Sequence, residues 1–381
     1  MLKKFALRNY KNFKDTIIID FKDIAGYQFN TECISDGIIS KMLIYGKNAT
    51  GKTNLGRALM DIQSTFFGSP FFMTDGIFLN ADSKENYASF YYEFQFEDDE
   101  IIYQYTKFSE HELRDEELFI NKKSIFKWDF VNEDYNVDNL GEINAETAIV
   151  ERYIQSLEGD ITGKIEPKLS FLKWLLGNVA FKSDSVLVLL SEYIRRMKRM
   201  TVSNIMIKHK LVNERFFEIL EDPEQLKDLE DFLNAMGIEC KLILEKLPDG
   251  QRELYFRHER LVPFYGNASS GTLALVNLYR SFVSVVREAS FIYLDEFDAF
   301  YHYEMAEKVI EFFKRKYPKC QMILTSHNTN LMVNRLMRPD CVFILSRGGS
   351  LTALCKATDR ELREGHNLEK MYISGEFEKY E

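Results

Sequence analysis

Met42-Leu43-Ile44-Tyr45 runs directly into Gly46-Lys47-Asn48-Ala49-Thr50-Gly51-Lys52-Thr53, and Asn54 opens a helix-like stretch that continues to Phe67. An apolar run of this kind reads as a buried strand. The eight residues after it fit the G-x-x-x-x-G-K-[ST] spacing of a phosphate-binding loop. The spacing encodes a device. Gly46 and Gly51 let the backbone curl so that its N–H groups converge on phosphate oxygens. Lys52 reaches the outer phosphates, and Thr53 offers a hydroxyl to Mg²⁺. The competing reading is a glycine-rich strand-to-helix turn with a chance lysine. The flanking strand and helix favour the nucleotide.

The remainder of the chain bounds the setting. Its 381 residues are 45% hydrophobic and 28% charged, enough to bury a large core. Aromatic residues reach 14%, which points to sheet-rich regions. The net charge of −10 argues against a surface that is basic overall, although a local basic patch for nucleic acid stays open. Cys33, Cys240, Cys320, Cys341 and Cys355 are too scattered for C-x-x-C metal spacing. The N-terminal residues lack the apolar core of a signal peptide, and no run of about 18 apolar residues spans a membrane. The expectation is a cytoplasmic protein with reduced thiols.

Pattern changes divide the chain. Alternating aromatic and polar residues over 78–126, broken by Asp98-Asp99 and Asn121-Lys122-Lys123, predict an antiparallel meander. From about 140 to 236 helical spacing takes over, including one helix read through Ser185–Met200. Residues 241–258 read as a hairpin turning at Pro248-Asp249-Gly250. Beyond it, helices at 270–289 and 302–317 alternate with strands ending at Asp295 and His327, and two short strands follow. Strands alternating with helices around a phosphate loop indicate a parallel-sheet α/β core. The expected organisation is an N-terminal lobe over 1–140, a helical insertion over 141–236 and a C-terminal lobe over 237–381.

Three further segments carry chemistry. Phe291-Ile292-Tyr293-Leu294 precedes Asp295-Glu296. Such a strand delivers a carboxylate for Mg²⁺ beside the phosphate loop, and then a residue able to polarise a water. Met322-Ile323-Leu324-Thr325-Ser326 ends in His327, which can contact a γ-phosphate or orient the water. Ala268-Ser269-Ser270-Gly271-Thr272 precedes a helix, reading either as an anion site or as an ordinary serine cap.

In this order the motifs resemble ABC-type ATPases of the SMC/RecF/OLD group, especially stand-alone "AAA ATP-binding" members. Leu7-Arg8-Asn9-Tyr10-Lys11-Asn12-Phe13 looks like that group's first-strand motif, and Asn367–Gly375 like the tail of its stand-alone members. The resemblance implies an ABC-type head, with a parallel phosphate-loop core, an antiparallel lobe and an inserted helical lid. It also implies roles. Gly46 to Thr53, with Asn54, hold ATP, and Thr53 and Asp295 hold Mg²⁺. Glu296 is the base, Asp298 the D-loop aspartate and His327 the switch histidine. Ser269, Ser270 and Gly271 match the signature that contacts ATP on the opposite subunit, and Lys11 and Asn12 approach the nucleotide. Two departures stand out. The signature is ASSGT rather than LSGGQ or LSGGE, and the Q-loop glutamine is not obvious, with Gln63 and Gln95 both open.

The resemblance therefore implies an ATP-hydrolysing switch in which two copies, head to tail, sandwich the nucleotide. The chain ends soon after the ATPase core, so the output is expected to need a separate effector, a nuclease or a toxin. Anti-phage systems, including PARIS-type ATPase subunits, are the analogous setting. The rival is a RecF/SMC-like DNA-binding repair or recombination ATPase, for which Arg195-Arg196-Met197-Lys198-Arg199 and Lys208-His209-Lys210 form the densest basic patch. A solvated helix face is the plainer reading of those residues. A membrane transporter subunit fits least, because of the helical insertion and the unusual signature.

Overall fold

Alternating aromatic and polar residues build the first layer. In the computed structural model, which describes residues 1–67, 76–158, 170–201, 213–283, 289–299 and 302–381, β1 (Leu2–Arg8) and β2 (Ile17–Asp20) open the chain. The short ribbon β3 (Ile34–Ser35) and β4 (Ile38–Ile39) follows. Then come β5 (Lys41–Tyr45), buried along its whole length, and helix α1 (Lys52–Phe67). The meander β6 (Ala88–Phe96), β7 (Asp99–Lys107), β8 (Leu113–Ile120), β9 (Lys123–Asp129) and β10 (Asp134–Asn136) joins the N-terminal strands in one antiparallel sheet. The strand order is β10-β9-β8-β7-β6-β1-β2. Asn121 and Lys122, at φ 49° and 68°, make the two-residue turn between β8 and β9. Positive φ at both positions matches the twist of the flanking strands.

One face of this sheet is an aromatic layer. Phe5 packs on Tyr92 at 5.0 Å, and Phe90 stacks on Tyr105 at 5.1 Å. Each fully buried aromatic contributes about 1.5–3 kcal/mol, more than the ~1 kcal/mol span of strand propensity. Packing against α1, rather than local preference, therefore fixes the register. Polar tips lock the contact: Tyr92 donates to the Ala58 carbonyl at 2.8 Å and Tyr105 to Asp61 at 2.9 Å. Lys107, itself buried, pairs with Asp61 at 3.0 Å.

The middle of the chain is helical but not throughout. Helices α2 (Val150–Glu158) and α3 (Phe171–Asn178) cover the far end of the meander, with Tyr153 against Trp128 at 4.7 Å and Phe171 against Phe126 at 5.0 Å. There the buried carboxylate of Glu116 accepts from Tyr103 at 2.8 Å, from Ser170 at 2.9 Å and from the Phe171 amide. Helix α4 (Val186–Arg195) follows. The helix expected to continue through Met200 stops at Arg195, and β11 (Met197–Thr201) is a strand instead. The reason is tertiary. β11 lies parallel to the strand that ends at Asp295 and pairs with it from Met197 to Thr201. That pairing supplies backbone partners and buries Met197 completely, outweighing helical periodicity. Gln63 fixes the junction by donating to the carbonyls of Ile194 at 2.7 Å and Met197 at 2.9 Å.

Helices α5 (Asn213–Leu220) and α6 (Pro223–Ala235) lead to the hairpin β12 (Leu242–Lys246) and β13 (Arg252–Arg257), with β14 (Leu261–Pro263) added. After the single turn α7 (Phe264–Asn267) come α8 (Ser270–Val283), β15 (Phe291–Asp295), α9 (Tyr303–Lys316) and β16 (Gln321–Ser326). β17 (Val342–Leu345), β18 (Leu351–Ala353) and α10 (Leu368–Ile373) close the chain. The second sheet has the order β11-β15-β16-β5-β17-β18, parallel except for its last pair. The fold is thus an α/β head with a parallel phosphate-loop core and an antiparallel lobe, as the sequence leads one to expect.

Helix α1 lies between the two sheets. Gly56 makes this possible on the parallel-sheet side, where an added Cβ would come within 2.5 Å of the Tyr293 ring. Among the described residues, no helix is long and apolar enough to cross a membrane. The five cysteines are free thiols. Lys208, His209 and Lys210 lie outside the described residues, as do 284–288 of the helix expected over 270–289.

Candidate nucleotide site

The parallel strands β15, β16 and β5 end together, and the loops beyond them form the site. β16 sits between the other two in register, with Leu324 beside Leu294 on one side and Leu43 on the other. Gly46 follows β5 and donates its amide to the Ser326 carbonyl at 3.2 Å. An added Cβ at Gly46 would press on Thr50 Oγ1 at 2.6 Å. Gly46 and Thr50 are buried, while Lys47, Asn48 and Ala49 are exposed at the loop's crest. Ala49 has φ 66° and Gly51 has φ 102°, so the loop turns through the left-handed region that favours glycine.

Lys52 begins α1 and is buried. Its ammonium donates to the carbonyls of Gly46 at 2.5 Å and Lys47 at 3.1 Å. Burial lowers its pKa, opposed by the nearby Glu296, Asp295 and Asp298 carboxylates. The first amides of a helix lack intrahelical partners, so those of Lys52 and Thr53 add to the anion-binding character of the loop. Thr53 and Asn54 are half-buried on the same turn.

The carboxylates are held by hydroxyls from β16. Thr325 Oγ1 donates to Asp295 at 3.0 Å and accepts the Glu296 amide at 2.8 Å. Ser326 Oγ donates to Asp298 at 2.7 Å and accepts the Asn328 amide at 2.8 Å. Asp295 and Asp298 are buried, whereas Glu296 and His327 are exposed. Glu296 has φ 50°, a strained conformation for a non-glycine residue of the kind that collects at functional sites. Burial raises the pKa of Asp298, partly offset by its Ser326 bond. The second oxygen of Asp298 is buried with no hydrogen-bond partner among the described residues. Such an orphaned acceptor is of the kind a cation or water satisfies. Together with the hard oxygens of Thr53 and Asp295, it fits Mg²⁺ chemically.

The N-terminal segment reaches this site through Asn12. Its amide donates to the Thr50 carbonyl at 3.1 Å and its oxygen accepts from Asn54 at 2.8 Å. A Cβ on Gly51 would stand 2.1 Å from the Asn12 nitrogen. Lys11 turns away, donating to the Ile77 carbonyl at 3.3 Å. Lys47 forms an ion pair with Glu381, and Tyr372 packs on Tyr45 at 4.8 Å, so the C-terminal segment touches the loop.

The signature-like segment lies elsewhere in the fold. Helix α8 packs on α6, which packs on β12. Ser269 caps α8, accepting the Thr272 amide at 3.1 Å, so its plainer reading as a cap is realised within one chain. Ser269 and Ser270 are exposed, and Gly271 is half-buried.

Neither Q-loop candidate joins the site. Gln63 is spent on the α4–β11 junction, and Gln95 bonds the Glu97 and Asp99 carbonyls at the β6–β7 turn. The reading of Arg195–Arg199 as one basic face is also corrected. Arg195 and Arg196 are exposed, but Arg199, half-buried as a residue, has its side chain covered and paired with Asp295 at 3.3 Å. Thr325, Ser326 and Arg199 are site residues that motif reading passes over. Two hydroxyls ending an otherwise apolar strand were the available signal for the first two. For Arg199 there was no local signal, because Met197-Lys198-Arg199-Met200-Thr201 shows no period-two alternation.

A family model described as "AAA domain, putative AbiEii toxin, Type IV TA system" matches residues 41–334. Among curated proteins none matches. Solved structures similar to the chain include an SMC head bound to the C-terminal winged-helix domain of ScpA, at 15% identity and TM-score 0.48, covering 92% of this chain and 96% of that one. The SMC head domain from Thermotoga maritima is 14% identical at TM-score 0.45, covering 92% and 98%. An Smc head with an extended coiled coil, bound to the C-terminal domain of ScpA and derived from Pyrococcus furiosus, is 14% identical at TM-score 0.47, covering 99% of each chain. With the phosphate loop, Asp295, Glu296, Asp298 and His327 all inside the matched span, the chain belongs to the AAA-domain family of the putative AbiEii toxin, Type IV toxin–antitoxin type.

Proposed function

We propose that the protein is an ATP-hydrolysing switch whose complete site needs two copies of the chain. The observation that carries this reading is the stitching of the phosphate loop to the carboxylate loop through β16. Gly46 binds the Ser326 carbonyl, Ser326 binds Asp298, and Thr325 binds both Asp295 and the Glu296 amide. Tyr293 adds a direct link, donating to the Lys52 carbonyl. Binding at one loop is thereby felt at the other within a few hydrogen bonds.

In this reading the Gly46–Thr53 loop and Lys52 hold the triphosphate, and Asn12 braces the loop from the side. Thr53 and Asp295 hold Mg²⁺, which when bound offsets charge on the β- and γ-phosphates. Glu296, exposed and pushed outward by its left-handed backbone, accepts the proton of the attacking water. His327 orients that water, and Asp298 couples it to β16. Within one chain, Ser269, Ser270 and Gly271 belong to a helix start packed away on α6. Ser269 and Ser270 are exposed there, and the amides of a helix start suit the γ-phosphate of ATP held by a second copy. Nucleotide then favours the closed pair and hydrolysis releases it.

The output belongs to a separate effector, a nuclease or toxin, in anti-phage defence. The family description, which names a putative toxin and a toxin–antitoxin system, supports the link to a toxin; phage defence and PARIS-type ATPase subunits are the analogy the motifs suggest. The DNA-repair reading loses part of its basis, because Arg199 is engaged inside the fold. The test of the nucleotide site is Lys52→Ala: ATP binding measured by calorimetry should vanish, and retained tight binding would remove the assignment.

A further inference from the structure

The Asp295 carboxylate carries a partner that none of the recognised motifs supplies. Arg199 stands on β11, the outermost strand of the parallel sheet, two residues before the position level with Asp295. Its Nη2 donates to Asp295 Oδ2 at 3.3 Å, and the two side chains are 5% and 3% exposed. The other oxygen, Oδ1, accepts from Thr325 at 3.0 Å. Both oxygens of the carboxylate are therefore engaged by protein donors, one of them a full positive charge.

A buried guanidinium opposite a buried carboxylate leaves little net charge at that place. A divalent cation approaching Asp295 meets the repulsion of Arg199 as well as the attraction of the carboxylate, inside a low-dielectric setting where both act strongly. Arginine stays protonated whatever its surroundings, so the obstacle cannot be removed by loss of a proton. It is removed only if the side chain moves or if further negative charge enters. A nucleotide triphosphate brings that charge.

We infer that Arg199 is a positioning residue that occupies Asp295 and keeps divalent cations out of the free protein, so that metal enters together with nucleotide. This rests on the proposed ATP site and adds an order of events to it. Free metal binds poorly, and arrival of the triphosphate lets Arg199 share its charge with phosphate oxygens and yield Asp295 to Mg²⁺. Thr325, a neutral donor, keeps the carboxylate oriented throughout.

The test uses Mn²⁺ alone with the full-length protein and no nucleotide, the free ion being followed by electron paramagnetic resonance. Arg199→Met should bind Mn²⁺ at least about tenfold more tightly than the wild type, and Arg199→Lys, which keeps the charge, should stay close to the wild type. Adding Asp295→Asn to Arg199→Met should abolish the gain. If Arg199→Met does not fold, Arg199→Gln is neutral, polar and closer in shape, and carries the same expectation. Equal or weaker Mn²⁺ binding in the neutral variant overturns the inference, as does a gain that survives Asp295→Asn. Binding of Mn²⁺ with ATP to the wild type reads the parent assignment separately. Nucleotide binding without the gain defeats the role of Arg199 alone, whereas no nucleotide binding defeats the site itself.

Discussion

Thr325 holds Asp295 in place: its hydroxyl donates to Asp295 Oδ1 at 3.0 Å while accepting the Glu296 amide at 2.8 Å. One side chain thereby sets the position of the carboxylate proposed to hold Mg²⁺ and the backbone of the residue proposed as base. Thr325 is itself completely buried. Thr325→Val keeps the shape and deletes both bonds. It should lower ATP turnover by about 10- to 100-fold, in the range of a lost positioning contact, while ATP affinity stays within a few-fold. Thr325→Ser should recover most of the activity. Steady-state kinetics on the pair checks this, and a valine variant with normal turnover would show that the hydroxyl does not position the carboxylates.

Gly51 couples conformation to contact. Its φ of 102° and the 2.1 Å approach of Asn12 to an added Cβ both exclude a side chain. Gly51→Ala should weaken ATP binding by about two orders of magnitude, because strain of ~1–3 kcal/mol falls on the loop that must cradle phosphate. Asn12→Ala relieves the crowding, so combining it with Gly51→Ala should restore part of the affinity. Fluorescent-nucleotide titration of the single and double variants measures the coupling. Simple additivity of the two changes would contradict it.

Glu116 makes the joint between meander and insertion sensitive to pH. Burial raises its pKa to about 7 from 4.5, against the opposing hydrogen bonds from Phe171, Tyr103 and Ser170. A raised carboxyl binds a proton more tightly in the folded state than in the unfolded one. Its contribution is therefore fully present below pH 4.5 and is lost as pH rises through about 7. Across that interval the loss amounts to about 3 kcal/mol, since a tenfold change in proton affinity is worth ~1.4 kcal/mol. Glu116→Gln removes the titration, so chemical denaturation from about pH 4 to about pH 8.5, a range that brackets the transition, should show a flatter stability profile than the wild type. Parallel profiles would mean that Glu116 does not govern this range.

The sequence was most legible where geometry is local. The phosphate loop, the strand ending at Asp295 and the strand ending at His327 each combine an apolar run with a fixed spacing, and the structure brings them to one end of a sheet. The meander was legible for a similar reason, since alternation along β6 and the Asn121-Lys122 turn need only neighbouring residues. The helix read through Met200 was not, because residues 197–201 take their conformation from β15, almost a hundred positions later. The same long-range pairing moved Arg199 from an expected surface patch to a buried ion pair. Gln63 was open as a nucleotide contact because sequence cannot say what surrounds a glutamine. Its partners are two carbonyls at the end of α4 and the start of β11.

On the proposed reading, GKNATGKT is half of a site completed by Ser269, Ser270 and Gly271 of a second copy. Glu296→Gln should bind ATP without turning it over and so accumulate the closed pair. Ser269→Asp keeps an oxygen that can cap α8 but sets a negative charge against the γ-phosphate. The direct measurement is the mass distribution of the Glu296→Gln protein by analytical ultracentrifugation, with and without Mg·ATP, alone and combined with Ser269→Asp. ATP should convert Glu296→Gln from monomer to dimer, and the added Ser269→Asp should abolish that conversion while each chain still binds ATP. A Glu296→Gln protein whose mass is indifferent to bound ATP, or a dimer untouched by Ser269→Asp, would contradict the shared site.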